Sequence, residues 1–262
     1  MSNKKRAKKI EWSAFFPGVS IVLVLLPPIL AGTITAVLIS YKGGSITLPG
    51  LLLETLGGVQ AYDNIIIMDF LRWVMLVSPL VLLIGLYIDR ETSKRLPFVL
   101  IRSSSYASWW YRYLFHLILV SLLYCLWAFM SVALIALLLS GGVVVKSEEL
   151  KAIGICLGMF AFYNVLVSLL QAFLQAILQN NKIIITVILG LPVLAQLLGS
   201  LSHTVGAWFP GSWGMYAQSY PVMDQGYNLP VVLFIGLLVI LGIYVIGAKT
   251  VKNNGVNTTE NN

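Results

Sequence analysis

The sequence predicts an all-α, polytopic membrane protein: one transmembrane domain over residues 1–262, with six spanning helices and a long polar cytoplasmic stretch between the second and third. Three observations predict it. Hydrophobic residues make up 58% of the chain and charged residues 10%, against about 25% charged in soluble domains, so a water-facing surface cannot be covered. The mean hydropathy is +0.89. The apolar residues come in long runs without alternation, which points to helices rather than to the strands of a barrel.

The first span is expected over about 15–40, behind a start carrying Lys4, Lys5, Arg6, Lys8 and Lys9. A basic start before an apolar run also opens a signal peptide, but this run is too long for one and is read as a retained helix. Pro27-Pro28 removes two backbone donors together and predicts a kink. A short apolar patch, Leu48–Leu56, follows and is expected on the outer surface. The second span covers about 65–87, with Asp69 and Arg72 three apart on one face. They read either as a mutually neutralising pair or as a gate or substrate contact. Further spans are expected over about 113–140, 152–178, 183–205 and 229–247. The segment Gly206–Asn228, rich in Trp, Pro, Gly and Tyr, suits an interfacial loop or a re-entrant turn.

Charge placement orients the bundle. With the N-terminus inside, thirteen cations face the cytoplasm: five at the start, five in Ile88–Arg112, Lys182, Lys249 and Lys252. Three, Lys42, Lys146 and Lys151, face outward. The positive-inside rule therefore places both termini in the cytoplasm. The net charge of +7 is spread over span ends, where it meets anionic lipid, and does not form a nucleic-acid surface.

Signals for chemistry are few. The chain has no P-loop, no GxGxxG and no HExxH, so it carries no nucleotide or zinc site of those kinds, and no cofactor is expected. His116 and His203 sit near span ends as interfacial residues. Cys125 and Cys156 fall mid-span with no metal spacing and read as packing residues. Glu148-Glu149, beside lysines, reads as a solvated cluster. Gly154 and Gly158 form a GxxxG pair that permits close helix contact.

The fourth span carries a regular polar pattern: Asn164, Ser168, Gln171, Gln175 and Gln179. Its spacings keep all five in a stripe about 80° wide, which lipid would not tolerate, so the stripe faces other helices or a wet cavity. Interhelical hydrogen bonding and a substrate path both fit. Gln196, Ser200 and His203 make a shorter counterpart in the fifth span, below a kink expected at Pro192.

The long polar break Ile88–Arg112 is the most specific stretch. A simple connection could be far shorter. Asp89-Arg90-Glu91-Thr92 continues the second span into water, and Pro97 interrupts it. Leu96, Phe98, Val99, Leu100 and Ile101 form an apolar surface too short to span. Arg102-Ser103-Ser104-Ser105 offers caps for the next helix, and Trp109-Trp110 stand where an aromatic belt belongs. Residue chemistry alone leaves open an interfacial elbow that merely anchors the fold.

In this order of parts the chain resembles the six-helix permeases of type-2 ABC exporters, and the resemblance extends to the six-span layout. It departs from them in having Thr92-Ser93-Lys94 where the family often has Gly-Thr after the acid. The resemblance implies a membrane subunit in a bacterial cell membrane, working as a homodimer or beside a similar permease. Separate ABC ATPase subunits would hydrolyse ATP, and an amphipathic peptide, lipid-like compound or drug would move outward. It makes the stretch a coupling helix, with Glu91 foremost, then Asp89, Arg90, Leu96, Phe98 and Arg102, engaging the ATPase. Asn164, Ser168, Gln171, Gln175, Gln196 and Ser200 are the candidate path. A protein that sequesters a peptide or scaffolds a partner, and an intramembrane enzyme, are the readings from other classes.

Overall fold

The computed structural model describes residues 19–59, 67–91, 106–140, 146–220 and 222–260. The described helices are α1 (Val19–Tyr41), α2 (Leu48–Leu56), α3 (Ile67–Arg90), α4 (Tyr106–Leu139), α5 (Ser147–Leu178), α6 (Asn181–Leu201), α7 (His203–Trp208) and α8 (Leu229–Glu260). Short 3-10 turns lie at Pro210–Ser212 and Tyr216–Gln218. Six of these helices, all but α2 and α7, are long and apolar enough to cross a membrane. The chain is an all-α, multi-pass membrane protein.

The helix ends fall into two groups. At one, the charged end, lie Arg90, Tyr106, Leu178 and Asn181; at the other lie Tyr41, Ile67, Leu139, Ser147, Leu201 and Leu229. Two buried clusters follow this division. One joins Leu80–Ile88 of α3 to Trp109, Trp110 and Tyr113 of α4 and to Ile243 and Val251 of α8. The other joins Trp73 of α3, Ala128 and Val132 of α4 and Phe160 and Tyr163 of α5 to Leu51 and Leu56 of α2 and to Met215.

Several element limits differ from the sequence expectation. The fourth helix, α4, begins at Tyr106 rather than near 113, so Trp109 and Trp110 lie inside it. They lie in its first turns and are buried against protein: Trp110 is 1% exposed and its indole N–H donates to Ile243 O at 3.3 Å. Helix α5 starts at Ser147 because the Glu149 carboxylate accepts the Lys146 backbone N–H at 2.9 Å, one arm of a capping box. Glu149 is thus a cap and not merely solvated charge. The turn after α5 is as short as expected: Gln179 takes the left-handed conformation with φ 52°, and the Asn180 side chain caps α6 by accepting Ile183 N–H.

The patch Leu48–Leu56 does not lie on a surface. It is α2, capped by Thr47 Oγ1 accepting Gly50 N–H at 3.2 Å, with Leu51, Leu52, Thr55 and Leu56 at most 2% exposed. It packs back among α1, α4 and α5. Nine residues cannot span a bilayer, but four such side chains bury well inside a bundle.

The 203–228 segment also turns back. Gly206 lies against Gly199, where a Cβ would come within 2.3 Å of Cα, and Gly211 lies against the Leu191 carbonyl. Leu191 is ten residues before the end of α6, about 15 Å at 1.5 Å per residue, so the chain re-enters alongside α6 to its midpoint. It then meets α2: Ala217 N–H donates to Gly57 O at 2.9 Å and Gln218 Nε2 to Val59 O at 2.6 Å. Together, α2 and this segment cap that end of the bundle.

Candidate functional site

The polar stripe of α5 is inside the bundle. Asn164, Ser168, Gln171 and Gln175 are between 0 and 8% exposed, whereas Gln179 is exposed beyond the helix end. Asn164 Nδ2 donates to Phe160 O, and Ser168 donates to Asn164 O and accepts from Ser121 of α4 at 2.8 Å. Gln171 Nε2 donates to Val81 O of α3 at 3.1 Å, and one turn further Asn181 Nδ2 of α6 donates to Gly85 O at 2.9 Å. These two bonds draw three helices together at Gly85, where a Cβ would lie 3.0 Å from Gln171 Nε2 and 2.6 Å from Ile185.

Part of the stripe is therefore interhelical bonding. Replacing Gln171 by Leu should remove one tie worth about 0.6 kcal/mol on the average of such bonds. The expected result is a small fall in melting temperature in detergent with monodisperse protein retained.

The counterpart in α6 is narrower than its sequence suggests. Gln196 is 3% exposed and its amide reaches Met215 Sδ at 3.7 Å. Ser200 is exposed and its hydroxyl bonds back to Leu197 O, so it lies outside the interior of this bundle. His203 opens α7 instead of extending the α6 row. The glycines of the GxxxG pair, Gly154 and Gly158, have nothing within 4 Å of a built Cβ, so no described helix packs closely on them.

Sequence reasoning passed over several buried polar groups. Tyr124 of α4 donates to Leu76 O of α3 at 2.5 Å, beside the Met75 carbonyl whose helical donor Pro79 removes. Trp73 and Tyr163 pack with ring centroids 6.1 Å apart. Gly57, Gly58 and Gly214 were the available signal: Gly58 has φ +86° and abuts Met215, and Gly214 lies on the Tyr163 ring.

Asp69 and Arg72 form an ion pair of 3.2 Å. Arg72 is 5% exposed and also donates to Thr35 of α1 at 3.2 Å. The pair thus ties α3 to α1 close to the capped end.

At the charged end, α3 runs unbroken to Asp89 and Arg90, both exposed, while Glu91 is 8% exposed. Leu96, Phe98 and Arg102, with the expected coupling helix, lie outside the described residues. The helix that returns from the stretch is firmly seated. Trp109 stacks on Tyr113 with centroids 5.2 Å apart, and Tyr113 stacks on Tyr87 at 5.9 Å. Trp110 sits against Gly247 of α8, where a Cβ would meet its ring at 2.5 Å. Among the described residues no three His, Cys, Asp or Glu side chains converge as a metal site would need. Compared with family models, with curated proteins and with solved structures, the chain matches none.

Proposed function

We propose that the chain is the membrane permease subunit of an ATP-driven ABC exporter in a bacterial cell membrane. In this reading the charged end and both termini face the cytoplasm, and the capped end faces outward. Separate ATPase subunits bind the stretch between α3 and α4, a second permease subunit completes the transporter, and an amphipathic substrate is moved outward. The observation that supports the reading is the packing of the described residues on either side of that stretch. The chain leaves α3 through Asp89 and Arg90 and returns through Trp109, Trp110 and Tyr113, which pack on α3 and α8. A force delivered to the start of α4 would pass to α3 and α8 through these contacts.

The exposure pattern divides the charged residues at the end of α3. Asp89 and Arg90 face outward from α3 and can meet a partner directly, whereas Glu91 is buried and would act by positioning the stretch. The test is purification of the tagged full chain from its native membrane in mild detergent. An ATPase subunit should co-elute, and reversal of the exposed charges by Asp89→Lys with Arg90→Glu should reduce its recovery while the permease stays monodisperse. If no ATPase co-elutes with the wild-type chain, the reading fails.

A further inference from the structure

Four polar atoms along α5 have no hydrogen-bond partner from the protein among the described residues: Tyr163 OH, Asn164 Oδ1, Gln171 Oε1 and Gln175 Oε1. Their residues are at most 8% exposed. Four more stand where the capping segments meet the bundle, each on a different element: Thr55 Oγ1 of α2, Trp73 Nε1 of α3, Gln196 Oε1 of α6 and Gln218 Oε1 of the second 3-10 turn. All four residues are at most 3% exposed.

The two groups adjoin. Trp73 packs on Tyr163, whose ring is covered by Gly214. The next residue, Met215, touches Gly58 and reaches Gln196, and Gln218 is bonded to Val59 beside Gly58. From Tyr163 to Gln175 the row covers twelve residues, about 18 Å of helix.

The amides cannot resolve this by turning over. Gln171, Gln196 and Gln218 each give one end of the amide to a protein group, so turning the amide over would only exchange which end is left. A bundle enclosed by lipid has no bulk solvent to complete such groups, and buried polar atoms in native proteins are almost always paired, by ordered water where not by protein. The set holds an N–H donor, hydroxyls and amide oxygens but no ion, so a charged ligand would find no counter-charge. At Gly58 and Gly214 the backbone comes close to Met215 and to the Tyr163 ring.

We propose that this seam is an internal hydration site: bound water molecules bridge the eight atoms from the α2 junction down the inner face of α5, within a single bundle. The inference does not depend on the exporter reading. Water is the ligand whose size and two-way hydrogen bonding fit a mixed set of isolated donors and acceptors.

The chain supplies its own controls for a test. Trp73 and Tyr163 have unpartnered polar atoms, while Trp110 and Tyr124 are as deeply buried but bonded to Ile243 O and Leu76 O. Pulsed radiolysis of the full wild-type chain in nanodiscs creates hydroxyl radicals from water at the site where it is bound. Oxidation read by peptide mass spectrometry should be several-fold faster at Trp73 than at Trp110, and at Tyr163 than at Tyr124. Equal or slower oxidation at Trp73 and Tyr163 would overturn the proposal. A second arm uses Asn164→Leu with Gln171→Leu, with an unchanged rate at Trp110 reporting an intact fold. Tyr163 should then fall toward the Tyr124 rate; if it does not, water reaches Tyr163 without the seam and the assignment is wrong.

Discussion

Gly211→Ala should be among the most destabilising single-methyl additions this chain can receive. A Cβ at Gly211 would stand 2.1 Å from Leu191 O and 2.5 Å from its carbonyl carbon. Both atoms belong to the backbone of α6, so no side chain can rotate away, and either the re-entrant segment or the helix must shift by about an ångström. Overpacking of this kind costs about 1–3 kcal/mol and occasionally more, and a backbone obstacle places Gly211 at the upper end. The expected result is a large fall in melting temperature in detergent and poor recovery of monodisperse protein. Gly154→Ala is the matched control. Nothing lies within 4 Å of its Cβ, and Ala is favoured over Gly in a helix interior by about 1 kcal/mol, so stability should hold or rise. Comparable melting of the two variants would mean that the 203–228 segment does not pack against α6.

Asp69→Ala should cost almost as much, for an electrostatic reason. Arg72 is 5% exposed, pairs with Asp69 at 3.2 Å and donates to the neutral Thr35 hydroxyl, and the Glu54 carboxylate is a second, weaker electrostatic partner. Removing one member of a buried pair strands the other charge and typically costs about 3–5 kcal/mol. Asp69 itself is 17% exposed and Glu54 still faces Arg72, so the lower figure is expected. The Asp69→Ala, Arg72→Met double variant should recover much of the loss, because the stranded guanidinium is gone and a long apolar side chain fills its place. A thermodynamic cycle over the four proteins measures this; additive losses would show that the pair does not act as a unit.

What the sequence made legible follows from the length of its signals. Six spans were readable because each apolar run exceeds the bilayer requirement, and the α5 stripe because Asn164, Ser168, Gln171 and Gln175 repeat at helical spacing. Single side chains carried less. Ser200 lies one turn from Gln196, yet α6 meets its neighbours on a face narrow enough to take Gln196 and leave Ser200 outside. The patch Leu48–Leu56 was misplaced because an apolar run too short to span looks the same whether it rests on a surface or folds inward. Its destination is decided by Gly57 and Gly58 meeting Met215 and Ala217, a pairing far apart in sequence. Trp109 and Trp110 resembled interfacial residues because belt and core tryptophans share a composition; the Gly247 notch that receives Trp110 lies on another helix.

The junction of α2 with Ala217 and Gln218 also sets a schedule for the chain as it is made. Gly57 O and Val59 O receive their donors from residues about 160 positions later in the chain. At about 5–20 residues per second, a ribosome needs roughly 8–32 seconds to reach them. Throughout that interval α2 is too short to cross the membrane, and the carbonyls that follow it lack their final donors. Final closure of the bundle is thus a late step in biogenesis, after the re-entrant segment emerges and immediately ahead of α8.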